Sequence, residues 1–203
     1  MDYVAIDALI EQCASGVAPS TMAAIIKVES AGNPWAIGDN TTHSHVSPKS
    51  AREAVAIASK LIASGHNLDL GLAQINSANL KTYGVGVASV FDPCTNVNIG
   101  SRILSNFYLK STTKYGEGNV SLYHALSAYN TGSFYNGPSY VLKILSAAGS
   151  KASITNVAWK HPVSKSASYK PTSSSRSPII AFNYNEPPFP AGSPNQILAI
   201  NGE

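Results

Sequence analysis

In "TMAAIIKVESAGNP", residues 21–34, a carboxylate faces inward. At about 100° per residue, Met22, Ile25 and Ile26 share one helical face and Glu29 falls in the middle of it, while Lys27 points elsewhere. The following "AGNP" stops the helix. Burial and the negative end of the helix dipole both disfavour an ionised carboxylate. A carboxyl kept protonated near neutral pH is what a general acid needs. A buried glutamate paired with a lysine or arginine is the structural alternative, and this pattern alone leaves it open.

The other acids are less informative. Asp2, Asp7, Glu11 and Glu53 sit where solvated helix residues are expected, Asp92 reads as an N-cap, and Glu117 borders a glycine. Asp39 and Asp69 lie in or near loops and remain possible site residues. Two polar motifs accompany Glu29. In "DLGLAQIN", residues 69–76, Gly71 permits close backbone approach, and Gln74 and Asn76 offer amides for neutral sugar or peptide groups. In "SAYNTGSF", residues 127–134, the ring of Tyr129 follows an apolar face and its hydroxyl needs a partner, while Asn130 and Gly132 end a helix. Ser30 has no evident His-Asp partner, which argues against a serine hydrolase. His43 and His45 lack the further ligands that a metal site requires, and "GVGVAS" has neither the lysine nor the strand of a phosphate loop.

The elements that must position these residues punctuate themselves as helices. Residues 3–14 carry Ile6, Ile10 and Cys13 on one face, and Pro19 opens the helix that ends at Glu29. Ser47-Pro48 predicts the start of a third helix with Val55, Ala58, Leu61 and Ile62 inward, ending at Gly65. Asp92-Pro93 opens a long helix ending near Gly116, and residues 119–130 and 138–148 make two more. Between Trp35 and Val46 no helical period holds, and a short hairpin or an extended loop fits. The fold class is mainly α, with at most a short hairpin.

Residues 1–150 form the folded domain. From 151 to 203 the chain turns Pro- and Ser-rich without amphipathic period and reads as an extended or disordered tail. Residues 1–150 hold nine Lys/Arg against nine Asp/Glu, whereas the tail holds five against two. A neutral globular part argues against nucleic-acid binding. No apolar run is long enough to span a membrane, and "MDYVAID" has no signal-peptide pattern, so the chain either is not exported that way or begins after a cleavage point. Cys13 and Cys94 read either as two buried small side chains or as one disulfide.

Taken in order, "VESAGNP", "GLAQIN" and "SAYNTG" resemble the three motifs of the lytic transglycosylases with the goose-lysozyme-like fold. Together with "GHNLDLGLAQINSANL", "FDPC" and "YVLKIL", they look closest to the VirB-type transglycosylase subunit of type IV secretion systems, over residues 3–150. The 45 residues between Glu29 and Gln74 exceed the general family's spacing, a departure that branch shares.

The resemblance implies an α+β lysozyme-like fold and non-hydrolytic cleavage of the peptidoglycan bond between N-acetylmuramic acid and N-acetylglucosamine, leaving a 1,6-anhydro end. Glu29 would be the single acid/base. Tyr129 would hydrogen-bond Glu29, Gln74 would contact sugar near the cut, and Asn130 would shape the same wall. Ser30 and Asn76 would orient Glu29 or an acetamido group. The resemblance further implies a periplasmic location, a Cys13–Cys94 disulfide, no cofactor, and partners among glycan strands and other secretion components. A non-catalytic glycan-binding scaffold of the same fold and a free-standing or phage murein hydrolase remain the alternatives.

Overall fold

The computed structural model describes residues 3–155 and 157–159. Along them run α1 (Tyr3–Cys13), α2 (Pro19–Ser30), β1 (Ile37–Asp39), β2 (Ser44–Val46), α3 (Ala51–Ala63), β3 (Leu68–Leu70) and β4 (Ile75–Asn76). A 3-10 turn (Ser77–Asn79) leads to α4 (Val87–Val90), α5 (Pro93–Tyr115), α6 (Asn119–Thr131) and α7 (Pro138–Ala147). The mainly helical class stands, as an α+β lysozyme-like arrangement. Among the described residues no helix is long and apolar enough to cross a membrane.

The helix starts follow their caps. Pro19 occupies the first turn of α2, and Asp92 accepts from the backbone N–H of Thr95 at 2.9 Å to open α5. The third helix begins later than the Ser47-Pro48 pair predicts. Ser50 caps it by accepting from Glu53 N–H at 3.2 Å, and the Glu53 carboxylate takes Lys49 N–H at 2.7 Å. That reciprocal pairing is a stronger start signal than a lone proline. Only Ala54 and Ala58 of α3 are fully buried, so it packs more lightly than its predicted apolar stripe requires.

The core lies between the long α5, which packs along α6 and against α1, and the α2–α7 pair. Met22, Ile25 and Ile26 of α2 are buried, as are Leu104 of α5, Leu122 and Leu126 of α6, and Val141, Ile144 and Leu145 of α7. Each such side chain contributes roughly 1.5–3 kcal/mol by leaving water, so Glu29 stands on one of the best-anchored helices of the molecule.

The sheet is larger than the one hairpin expected. The order is β2-β1-β3-β4, all antiparallel, with Ile37 opposite Val46, Gly38 opposite Asp69, and Leu70 opposite Ile75. The first hairpin falls inside the predicted 35–46 segment. The second is formed by "DLGLAQIN" itself, whose strands of three and two residues are too short to display an alternating period. Its turn is fixed by one buried amide. Asn96 accepts from Ala73 N–H at 2.8 Å and donates to the carbonyls of Leu70 at 2.9 Å and Val90 at 2.7 Å. Gly71 has φ 77°, and a Cβ there would come within 2.4 Å of Asn96 Nδ2, so only glycine fits.

Cys13 at the end of α1 and Cys94 in the first turn of α5 are disulfide-bonded. The packed chain also continues past residue 150. Ile154 and Val157 are buried, and the Trp159 ring centroid lies 5.2 Å from that of His124. Those residues belong to the packed domain rather than to the tail. The Pro- and Ser-rich remainder, residues 160–203, lies outside the described residues.

Candidate active site

Glu29 reaches the surface of the core where α2 ends. Two residues on, the C-cap Ala31 takes the left-handed conformation, φ 52°, which turns the chain sharply away. Gln74 is also left-handed, at φ 48°. Such positions cost a non-glycine residue of order 1 kcal/mol and tend to gather at functional sites. Of the two, Gln74 lines the cleft that holds Glu29.

The cleft is open to solvent. Glu29, Asp69, Gln74, Tyr129 and Asn130 all line it, on α2, β3, the β3–β4 turn and the end of α6. Residues scattered over a hundred positions of chain therefore meet in one wall. Ser30 is not part of the lining, and its hydroxyl donates to the Ile26 carbonyl at 3.2 Å. Asn76 lines the cleft, but its amide is fully engaged with the scaffold. It donates to Asp69 Oδ1 at 2.7 Å and Asn67 Oδ1 at 2.8 Å, and accepts from Ala78 N–H at 3.0 Å.

The partner of Glu29 differs from the expected one. Tyr129 donates to the Ala73 carbonyl at 2.8 Å, which ties α6 to the β3–β4 turn. The hydroxyl on Glu29 belongs to Tyr140, which donates to Oε1 at 2.5 Å from the first turn of α7. Sequence reasoning missed Tyr140 because a tyrosine on the apolar face of "PSYVLKIL" reads as core. The distance along the chain hides the pairing. Tyr129 still shapes the site, since Gly100 lets its hydroxyl and Ala73 approach α5 without a Cβ in the way.

Burial pushes the Glu29 carboxyl up to about 7; the Tyr140 bond opposes the rise, the Asp69 charge adds to it, and the Lys143 charge opposes it. Near neutral pH it is therefore a shared population of acid and carboxylate, able to give a proton and take one back. Burial and the Glu29 carboxylate hold the hydroxyls of Tyr129 and Tyr140 well above their ordinary value, so both remain donors.

Of the two other candidate acids, one is in the cleft and one is not. Asp69 lines it, and burial raises its carboxyl despite hydrogen bonds from Asn40 and Asn76, each at 2.7 Å. Asp39 is committed elsewhere. It accepts from His66 Nδ1 at 2.7 Å, from the Thr42 hydroxyl at 2.8 Å and from Thr41 N–H at 2.9 Å. These bonds outweigh its burial and bring its carboxyl down to about 2, a structural carboxylate that closes the β1–β2 turn. Gln74 donates through Nε2 to the carbonyls of Gly71 at 2.9 Å and Ala36 at 3.2 Å, and its Oε1 lies beside Gly38 of β1.

The transglycosylase SLT domain model matches residues 8–140, more than half of the chain. The chain belongs to that family. The SLT match runs from α1 to Tyr140 and so contains the whole cleft. Relatives include the type IV secretion system protein virB1 of Brucella abortus biovar 1, 43% identical over 148 residues, covering 69% of this chain and 62% of that protein. Protein virB1 of Agrobacterium fabrum is 39% identical over 139 residues, covering 68% and 56%. Protein virB1 of Rhizobium radiobacter is 37% identical over 146 residues, covering 71% and 61%. The SLT chain thus spans about six tenths of the length of these curated relatives. No solved structure matches it significantly.

Proposed function

We propose that this protein is a peptidoglycan lytic transglycosylase that opens the cell wall locally for a type IV secretion apparatus. The observation that carries the reading is the Glu29 carboxyl, held near 7 in a cleft by burial and oriented by Tyr140. The SLT family membership and the virB1 relatives support the substrate and the setting. A disulfide between Cys13 and Cys94 fits an oxidising compartment, in keeping with a periplasmic enzyme.

In this mechanism the Glu29 acid protonates the glycosidic oxygen between N-acetylmuramic acid and N-acetylglucosamine. The C1–O bond breaks and the N-acetylglucosamine side leaves as an alcohol. The muramic acid's own N-acetyl carbonyl oxygen stabilises C1. Glu29, now a carboxylate, takes the proton of the 6-hydroxyl, and O6 bonds to C1 to close the 1,6-anhydro ring. The proton balance closes on Glu29 with no water consumed. Tyr140 holds the carboxyl through both steps, Gln74 contacts the sugar near the cut, and Asn130 shapes the same wall.

One observation favours a second reading. Asp69 shares the cleft with Glu29, and paired carboxylates are the usual equipment of a hydrolytic glycosidase. The mass of the products distinguishes the two. Muropeptides released from purified peptidoglycan as 1,6-anhydro species, one water lighter than reducing sugars, support the transglycosylase. Reducing ends that disappear in Asp69→Asn establish the hydrolase instead. A protein that co-sediments with peptidoglycan and releases nothing is the non-catalytic scaffold.

A further inference from the structure

Ser127 is fully buried on α6, two residues before Tyr129 and three before Asn130, and it does not line the cleft. Its hydroxyl serves the turn that joins α6 to α7. It donates to the Ser133 carbonyl at 2.6 Å and accepts from Gly137 N–H at 2.9 Å. Thr131 braces the same turn, donating to the Ser127 carbonyl at 2.8 Å and accepting from Ser133 N–H at 3.1 Å. Buried hydroxyls are normally paired, so the pairing alone asks for no role beyond structure. What gives this one a further role is where its second bond ends.

Gly137 is the N-cap of α7, the helix that carries Tyr140, and it has no side chain with which to cap it. A serine or aspartate at that position would fix the helix start locally. Here the start is fixed from α6 instead. The contact is close: a Cβ on Gly137 would come within 2.9 Å of Ser127 Cα and 3.0 Å of its Oγ, so only glycine lets the two backbones meet. Tyr140 lies three residues further on, in the first turn of α7, and its hydroxyl reaches Glu29 Oε1 on α2 at 2.5 Å. A side chain as long as tyrosine turns a small tilt of its helix into a displacement of its hydroxyl, and a hydrogen bond that short weakens with little lengthening.

We propose that Ser127 is a positioning residue of the reaction: through Gly137 and the first turn of α7 it sets the reach of Tyr140 to Glu29. The assignment rests on the reading of Glu29 as the acid and adds to it a residue that acts from outside the cleft. Besides Tyr140, the groups that act on Glu29 are Asp69 of β3, Tyr129 of α6 and Lys143 of α7. Ser127 makes its side-chain bonds to none of them. An α7 released from Ser127 weakens the Tyr140 bond and the pull of the Lys143 charge, and both changes favour the protonated carboxyl.

The test is Ser127→Ala in the full chain, read by the pH profile of peptidoglycan cleavage and by carbon NMR titration of the Glu29 carboxyl. Turnover is expected to fall roughly 10-fold with KM little changed, short of the roughly 10²-fold that a 1 Å misplacement can cost. The alkaline limb of the profile and the Glu29 midpoint are expected to move to higher pH together. A purely structural loss lowers the amount of active protein at every pH and moves neither. In a Tyr140→Phe background, Ser127→Ala is expected to add little to the shift, because the bond it loosens is already gone. Gly137→Ala presses the same contact from the other side, is expected to move the midpoint the same way, and carries the test if Ser127→Ala does not fold. A midpoint that stays at the wild-type value in these variants, or that moves as far without the Tyr140 hydroxyl as with it, overturns the positioning role and leaves the reading of Glu29 intact. Cleavage undiminished by Glu29→Gln overturns that reading and the proposal with it.

Discussion

The Tyr140 hydroxyl donates to Glu29 Oε1 at 2.5 Å across 111 residues of chain, joining α7 to the end of α2. Each half of that pair is fixed independently. Glu29 follows the buried Met22–Ile26 stripe, and Tyr140 precedes the buried Val141, Ile144 and Leu145. The Glu29 carboxyl is thereby held by two helices that pack on each other.

The pH dependence of activity follows from this pair. Glu29 must be protonated to act as the acid, so kcat/KM falls as pH rises through about 7. The Tyr140 bond favours the ionised form, so Tyr140→Phe moves that fall to higher pH while lowering turnover, by roughly 10-fold or more, through lost orientation. A pH–rate profile of the two proteins checks it. A limb that stays in place or moves down contradicts the assignment.

The same carboxyl costs stability. Its folded value, about 7, lies above the 4.5 of the free side chain, so the native state holds the proton more tightly. Stability of the wild type therefore falls as pH rises from 4.5 to about 7 and levels off above. Glu29→Gln escapes that loss. It is expected to match the wild type near pH 4 and to exceed it near pH 8, by on the order of 3 kcal/mol in urea unfolding. A difference that does not change with pH means that Glu29 is not buried as described.

The disulfide staples residues 81 apart in sequence, Cys13 at the end of α1 and Cys94 at the start of α5. Closing a loop of that length removes about 4 kcal/mol of unfolded-state entropy in the chain-entropy model. Cys13→Ser with Cys94→Ser is expected to lower unfolding stability by an amount of that order. A loss below roughly 1 kcal/mol rules out a structural role.

Deletion tests where the domain ends. Ile154 and Val157 are buried against the core and Trp159 covers His124. Removing residues 151–203 is expected to leave a protein roughly 3 kcal/mol less stable than removing 160–203, the worth of two partly compensated apolar side chains. Equal stabilities return the boundary to residue 150.

How much of this was legible depended on whether the signal was local. Glu29 was, because the apolar stripe of one helix passes through it, and so were the Asp92-Pro93 start and the Val141–Leu145 face. The second hairpin was not, since strands of two and three residues carry no period, and the tight turn is fixed by Asn96 from a distant helix. Tyr129 lines the cleft, but its donor hydrogen goes to Ala73, and only tertiary geometry assigns Glu29 to Tyr140. Ile154, Val157 and Trp159 looked like tail because three apolar residues among serines and a lysine make no amphipathic pattern, although they pack on the folded part.

The measurement closest to the central claim is the turnover of purified peptidoglycan by Glu29→Gln beside the wild type, with glycan binding measured on both. The account predicts that 1,6-anhydro muropeptide release falls by at least roughly 10²-fold while binding is kept, the scale of a lost general acid. Undiminished release by Glu29→Gln would contradict it, and the proton would have to come from another group.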